Sequence, residues 1–129
     1  MVRIPDEFRD LLEKKALAHL ATLMPDGSPQ VTPVWFDYDG EYFRINTAAG
    51  RQKDRNMRRN AKVALSIADP DEPERSLRVR GVVRDIREEG ADAHIDALSR
   101  KYNGKAWKPV PNQKRVIYKI KPEKISTST

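Results

Sequence analysis

The sequence predicts a mostly β fold, an antiparallel barrel of six strands with short helices at its periphery. Six segments either alternate polar with apolar residues or are rich in β-branched and aromatic residues, and turn residues separate most of them. The predicted strands span residues 18–23, 30–36, 41–47, 62–68, 76–86 and 115–120, and the predicted helices span residues 5–16, 51–60 and 91–102. The 129 residues suffice for one core, so we expect a single domain over residues 1–129.

Local signals define the first helix and the first three strands. Apolar residues at helical spacing, Phe8 and Leu11 among them, predict an amphipathic helix. A Pro-Asp-Gly turn at residues 25–27 separates the first two strands, and an Asp-Gly pair at residues 39–40 separates the second strand from the third. Pro33 cannot donate a ladder hydrogen bond, so the second strand is predicted to lie at an edge or to break opposite a ligand.

The second half of the chain alternates strands with two helices. The acidic, proline-broken loop at residues 69–74 is interpreted as solvated. Gly81 in the longest strand indicates a bulge or a close backbone approach. The last helix is predicted to end at the Asn-Gly pair of residues 103–104, and Pro122 is predicted to end the last strand. We therefore expect residues from about 123 to 129 to form a disordered tail.

Several classes of protein are excluded by what the sequence lacks. It contains no cysteine, so disulfides, thiolate catalysis and cysteine-ligated metals are excluded. His19 and His94 lie far apart and share no ligand spacing, so we predict structural roles for both and no metal site. Phosphate-loop, dinucleotide-binding and hydrolase motifs are missing. Short apolar runs and a charged N-terminal segment predict no membrane span and no secretory signal, so we expect a cytoplasmic protein.

A basic segment after the third strand is the strongest functional signal. The chain carries a net charge of +6, which favours an anionic partner. Arg51 and Lys53 fall in the first turn of the predicted helix 51–60, where cations oppose the helix dipole, so a bound phosphate would explain them. A solvated basic face is the alternative. Nucleic acid is not favoured as a partner, because no aromatic recognition pattern accompanies the cations.

Short stretches of the chain together resemble the split β-barrel of the pyridoxamine 5′-phosphate oxidase-like superfamily, including its small enzymes that use the deazaflavin coenzyme F420. These stretches are Ala21-Thr22-Leu23, Asp26-Gly27-Ser28-Pro29-Gln30, Thr32-Pro33-Val34-Trp35-Phe36, Arg51-Gln52-Lys53-Asp54-Arg55-Asn56 with Arg58-Arg59, Val63-Ala64-Leu65, Val79-Arg80-Gly81, and Arg115-Val116 through Ile120-Lys121-Pro122. Their order and spacing span nearly the whole chain. The resemblance implies a homodimer with its cofactor sites at the interface.

The resemblance also implies which residues form the cofactor site. Arg51 and Lys53 match the basic pair that binds phosphate in the family. The residues expected to border the phosphate and the ribityl chain are Asn46, Thr47 and Ala48, and those expected to line the ring system are Gln30, Val31, Thr32, Pro33 and Val34. Trp35 is expected either beside the ring or in the core, and Trp107 and Arg115 are expected to reach the site of the partner subunit.

By resemblance, the function is that of an F420-dependent oxidoreductase that transfers a hydride from the reduced deazaflavin to an unsaturated or quinone-like small molecule. Because the cofactor supplies the chemistry, no protein nucleophile is required, and the catalytic residues stay unassigned. FMN is the alternative cofactor, since its phosphate suits the same pocket. A non-catalytic split barrel that binds a cofactor, haem or nucleic acid is the alternative function.

Overall fold

The structure, a computed structural model, describes residues 2–128. Seven antiparallel strands form one curled sheet in the order β2-β1-β5-β6-β7-β4-β3. The strands are β1 Ala18–Leu23, β2 Pro29–Val34, β3 Phe36–Tyr38, β4 Phe43–Ala48, β5 Lys62–Ala68, β6 Ser76–Arg87 and β7 Arg115–Ser128, and the helices are a 3₁₀ helix Asp6–Leu12, α1 Gln52–Arg59 and α2 Ala91–Asn103. The prediction of an antiparallel split barrel is confirmed.

The barrel has seven strands rather than the predicted six, because the segment 30–36 divides at Trp35. β2 pairs with β1 up to Val34, whereas β3 begins at Phe36 and pairs with β4. β2 and β3 are therefore the two opposite edges of the sheet, although one residue separates them in sequence. The sheet must curl until its edges meet at Trp35. β2 is an edge strand, as Pro33 predicted.

The last strand corrects the expectation of a disordered tail. β7 continues through Pro122 to Ser128 and pairs with β6 over most of its length. Pro122 lies opposite Gly81 at a register shift, where a missing N–H donor is tolerated. A Cβ atom on Gly81 would lie 2.5 Å from the backbone oxygen of Lys121, which confirms the predicted close approach. Thr129 lies outside the described residues.

The acidic loop is not simply solvated, as its composition had suggested. Asp69 is only 3% exposed and pairs with Lys14 at 2.9 Å and with Arg75 at 2.7 Å. The N–H group of Asp71 and the hydrogen bonds from these cations lower the pKa of Asp69 to about 2. Arg75 also pairs with Asp10 at 2.6 Å, so the loop fastens the N-terminal helix to the sheet. That helix is 3₁₀ rather than α, and it buries its apolar face on the core.

Two apolar clusters stabilise the fold. The main core lies inside the curl of the sheet and includes Phe36, Phe43 and Tyr118, each fully buried. A second cluster lies under α2, where Ile95, Leu98 and Tyr102 pack with the half-buried Trp35 and Trp107. The structure thus places an aromatic cluster on the junction of the two sheet edges. No helix within residues 2–128 is long and apolar enough to cross a membrane.

Candidate functional site

The start of α1 is held in place by a buried carboxylate. Asp54 accepts a hydrogen bond from the backbone N–H of Gly50 at 2.9 Å, and also hydrogen bonds from Tyr118 and Arg58. Burial alone would raise the pKa of Asp54, but these hydrogen bonds outweigh it and keep the pKa below its usual value. Gly50 adopts a φ of 94°, which glycine tolerates without strain. Arg51 follows directly, and no side chain caps the helix.

A pocket of about 330 Å³ opens beside this helix start. It is lined by Leu17, Pro33, Val34, Trp35, Asn46, Arg51, Lys53, Ile95, Trp107 and Arg115. These residues come from the residue before β1, from β2 and its link to β3, from β4, from the start of α1, from α2 and the connection that follows it, and from the start of β7. The pocket therefore lies where the two edges of the sheet meet and where α2 covers them.

Three cations face the pocket, and within residues 2–128 none of them has a carboxylate partner within 4 Å. Arg51 is exposed, Lys53 is half-buried, and Arg115 is only 8% exposed. Burial, reinforced by the nearby charges of Arg51 and Arg115, lowers the pKa of Lys53. Burial and the charge of Arg51 also lower the pKa of Arg115, although Asp92 acts in the opposite direction. A bound anion would relieve this mutual repulsion.

Arg115 is oriented by neutral groups. Its Nε donates to the side-chain oxygen of Asn46 at 2.8 Å, and its Nη1 donates to that of Gln113 at 2.9 Å. The guanidinium carbon lies 5.3 Å from the ring centroid of Trp107, which is a cation–π contact. The charge of the guanidinium is therefore held in position without being neutralised.

Two tryptophans, Trp35 and Trp107, form another part of the pocket lining. Trp35 stacks on Tyr102 with ring centroids 5.4 Å apart and an interplanar angle of 5°, and Trp107 meets Trp35 edge-on at 6.3 Å. Burial raises the pKa of Tyr102 to about 12, and its hydroxyl donates to the backbone oxygen of Ala16 at 2.6 Å. Because Tyr102 is anchored in this way, the indole of Trp35 presents a fixed flat surface.

The structure brings together half of the residues predicted for the cofactor site. Those that line the pocket are Pro33, Val34, Asn46, Arg51 and Lys53, whereas Gln30, Val31, Thr32, Thr47 and Ala48 do not. Val31 is 58% exposed and lines a groove on the outer face of the sheet. Strand alternation places the Thr47 side chain on the core face with Ile45. Ala48 is buried at the end of β4.

Further residues join the site from other parts of the sequence. Trp107 and Arg115, which are expected to reach the site of a partner subunit, also line the pocket of their own chain. Ile95 of α2 and Leu17, which the sequence did not predict, lie with them. Arg115 reaches the pocket through the pairing of β4 with β7, in which Ala48 lies opposite Arg115, and no local sequence signal marks that pairing. His94 is buried behind the pocket and contacts Asn46.

Larger grooves lie elsewhere, and two of them lie on the outer face of the sheet. Their volumes are about 510 and 560 Å³, and they share Ala21, Ala64 and Arg80 among their lining residues. Both linings combine small and larger apolar residues with basic residues, among them Arg80 and Lys124. In contrast, the smaller pocket combines a buried cation, a helix start and two indole rings. The smaller pocket is therefore the stronger candidate for a binding site.

Comparison with known proteins finds a matching family model, a curated relative and a similar solved structure. A family model described as pyridoxamine 5′-phosphate oxidase matches residues 4–129. The F420H(2)-dependent biliverdin reductase of Mycobacterium tuberculosis (strain CDC 1551 / Oshkosh) is 33% identical over 125 residues, which cover 95% of this chain and 87% of that protein. A solved structure named F420 reductase is 41% identical, with a TM-score of 0.87 over 95% of this chain and 98% of that chain.

A second group of relatives matches less of its own length. The pyridoxine/pyridoxamine 5′-phosphate oxidase of Erythrobacter litoralis (strain HTCC2594) is 36% identical over 92 residues, which cover 70% of this chain. This chain spans 42% of that oxidase. The longer oxidase thus contains a large part that has no counterpart in the alignment.

Proposed function

The chain belongs to the pyridoxamine 5′-phosphate oxidase family, and on that basis we propose that it is an F420-dependent oxidoreductase that reduces an unsaturated or quinone-like small molecule. The observation that carries this proposal is the group of three cations beside the α1 start, Arg51, Lys53 and Arg115, which face a pocket and lack carboxylate partners within residues 2–128. Such a group fits the phosphate of a deazaflavin or flavin cofactor.

The remaining pocket residues suit the rest of such a cofactor. The indole of Trp35 and the apolar strand residues Pro33 and Val34 offer a flat apolar surface for a ring system. When bound, reduced F420 supplies a hydride from its C5 atom. The protein's own part is to hold the phosphate on the cations, to fix the ring against the strand and to exclude water. No side chain is required as a nucleophile.

Two arguments favour F420 over FMN. The relatives named for F420 align over nearly the whole chain, whereas the oxidase from Erythrobacter litoralis aligns over 70% of it. F420 ends in a lactyl-oligoglutamate tail, so it carries more negative charge than FMN and suits a chain of net charge +6. FMN is the alternative, because it offers its phosphate to the same cations.

We further propose that two copies of the chain form a homodimer around this site. Within residues 2–128, three large apolar side chains are exposed. Leu17, at 40%, lines the pocket, and Val110, at 48%, lines a depression that shares Trp107 and Arg115 with it. Val31, at 58%, lines the separate groove on the outer face of the sheet. Sedimentation equilibrium is expected to give a dimer for the native chain and a weakened dimer for Val31→Asp. A native chain that sediments as a monomer at assay concentration would contradict the proposal.

The test of cofactor choice is a titration of the purified protein with F420 and, separately, with FMN. Quenching of the emission from Trp35 and Trp107 reports binding, and equilibrium dialysis confirms the stoichiometry. We expect saturation by F420 at micromolar concentration and weaker binding of FMN. Tighter binding of FMN would select the alternative cofactor, and binding of neither would refute the oxidoreductase proposal in both forms.

A pair of matched variants tests the site itself. Arg51→Ala/Lys53→Ala is expected to weaken F420 binding at least tenfold, about 1.4 kcal/mol or more, because two phosphate ligands are lost. Lys15→Ala/Arg84→Ala removes the same charge from exposed positions outside the pocket and is expected to bind as the native chain does. Equal losses in both variants would mean that only net charge matters. Binding without turnover over a broad panel of acceptors would favour the non-catalytic alternative.

A further inference from the structure

A continuous chain of polar side chains runs behind the pocket. Arg115 donates from Nε to the side-chain oxygen of Asn46 at 2.8 Å, and the Asn46 amide nitrogen lies 3.2 Å from Nδ1 of His94. On the far side of the ring, Nε2 of His94 lies 3.2 Å from Oδ2 of Asp37. Asn46 is 9% exposed, His94 5% and Arg115 8%, so the contacts are shielded from water. This series of side chains begins at Arg115, which lines the pocket, and ends at the carboxylate of Asp37.

The donor and the acceptor of every hydrogen bond between these four side chains can be assigned. Nε of an arginine can only donate, so the Asn46 atom that it meets must be the oxygen. The other Asn46 atom lies 2.9 Å from the carbonyl oxygen of Ala91 and must therefore be the NH₂ group, which agrees independently. Since that NH₂ donates to Nδ1 of His94, this nitrogen carries no proton. The His94 proton is then on Nε2, where Asp37 accepts it.

We propose that Asn46 and His94 are positioning residues, which hold the Arg115 guanidinium in the pocket while His94 is kept as its neutral Nε2–H tautomer. The importance of this for hydride transfer rests on the proposed function, because Arg115 is one of the three cations assigned to the phosphate. For this role, neither the His94 ring nor the Asn46 amide nitrogen has to contact the cofactor. Their action passes through the single hydrogen bond between Asn46 and Arg115.

The arrangement explains how a buried cation can be fixed and still remain available to an anion. A carboxylate bonded directly to Arg115 would orient it but would also cancel its charge. Here the carboxylate of Asp37 stands two residues away, and Arg44 binds it through two hydrogen bonds of 2.8 Å. The groups between Asp37 and Arg115 are neutral. Orientation is thus transmitted from β3 through α2 and β4 to β7, while the positive charge stays uncompensated at the pocket.

The first test measures the tautomer directly, in the native chain without any ligand. Long-range ¹H–¹⁵N NMR correlations distinguish a protonated from an unprotonated ring nitrogen. Only two histidines are present, so the variant His19→Gln identifies the signals of His94. At mildly alkaline pH we expect His94 to show one pure tautomer with its proton on Nε2. A proton on Nδ1, or an averaged spectrum for His94, would overturn the proposal.

The second test separates positioning from packing with two substitutions of His94. In His94→Asn, the amide oxygen stands near the place of Nδ1 and can still accept from Asn46, whereas His94→Leu offers no acceptor. We expect His94→Leu to accelerate solvent exchange of the Arg115 Nε–H and to weaken binding of inorganic phosphate about tenfold. His94→Asn is expected to retain both properties within twofold. Equal losses in the two variants, or a loss in neither, would contradict the assignment.

The two tests do not depend on the identity of the cofactor. The tautomer and the Arg115 exchange rate are measured on the protein alone, and inorganic phosphate is the only ligand used. A protein that passes both tests but binds no F420 would refute the proposed function and leave the positioning roles intact. Failure of the native chain to bind inorganic phosphate would remove the role of Arg115 as an anion ligand, and with it the purpose assigned to Asn46 and His94.

Discussion

Replacing Asp37 by asparagine removes the charge that anchors the polar chain behind the pocket while it preserves the shape of the side chain. The Asp37 carboxylate is 24% exposed, accepts two hydrogen bonds of 2.8 Å from Arg44 and faces Nε2 of His94 at 3.2 Å. In the variant, the new NH₂ group faces either Arg44 or His94. Both sides of that contact are then donors, so the hydrogen bond is lost. We expect a less stable protein in which the position of Arg115 is also less well defined.

The magnitude follows from the pKa of Asp37. Burial alone would raise this pKa, but the hydrogen bonds from His94 and Arg44 outweigh it and lower the pKa from 3.8 to about 2. A pKa unit corresponds to about 1.4 kcal/mol, so ionised Asp37 contributes about 2 kcal/mol at neutral pH. A depressed carboxyl pKa stabilises the fold above the unfolded-state pKa, and this stabilisation is lost as the pH falls through the folded-state value. The effect of the substitution should therefore shrink to roughly half near pH 3.

Urea unfolding at a series of pH values measures this effect. At pH 7 we expect Asp37→Asn to lower the free energy of unfolding by about 2 kcal/mol, which corresponds to roughly 8 °C in melting temperature. Asp6→Asn is the matched control, since Asp6 is 74% exposed and its pair with Arg3 should contribute little. A loss that stays constant from pH 7 to pH 3 would refute the electrostatic reasoning, and so would a loss no larger than that of the control.

Three further perturbations test other parts of the structure. Gly81→Ala should lower the free energy of unfolding by about 1–3 kcal/mol in urea, because its Cβ would meet the backbone oxygen of Lys121 at 2.5 Å; unchanged stability would mean that the bulge can relax. Tyr118→Phe should cost about 1–2 kcal/mol, because Asp54 loses a buried donor, and a stability equal to that of the native chain would contradict that hydrogen bond. Phosphate affinity measured by dialysis should fall with added salt, and less steeply in Lys53→Ala; parallel salt dependences would exclude Lys53 from the site.

Local patterns were sufficient for most strands and for the basic pair of the site. The turn at residues 25–27 and the alternation in the later strands are short-range signals, and Arg51 and Lys53 stand out because their charge opposes a helix dipole. The division of the second strand at Trp35 could not be read in this way. Residues on both sides of Trp35 have strand character, so no change of period marks the point at which the pairing partner changes.

The remaining corrections depend on contacts between distant segments. Pro122 ends a strand by local rules, but here a register shift opposite Gly81 accommodates it. Asp69 belongs to a loop of acidic composition, and only the folded chain places Lys14 and Arg75 beside it. Arg115 joins the pocket because β4 and β7 pair in one particular register. Sequence pattern does not determine register between strands so far apart.

The meeting of the two sheet edges at Trp35 gives the pocket a mechanical role. Pro33 and Val34 belong to one edge strand, Asn46 belongs to the strand beside the other edge, and all three line the same pocket. A molecule bound there would contact strands near both edges of the sheet and would have to be released before the edges could separate. Ligand binding would therefore be thermodynamically linked to barrel closure. At a ligand concentration one hundred times its dissociation constant, the closed form would gain about 2.7 kcal/mol. A bound molecule would therefore add a second connection between edges that are already joined through Trp35 and covered by the aromatic cluster under α2.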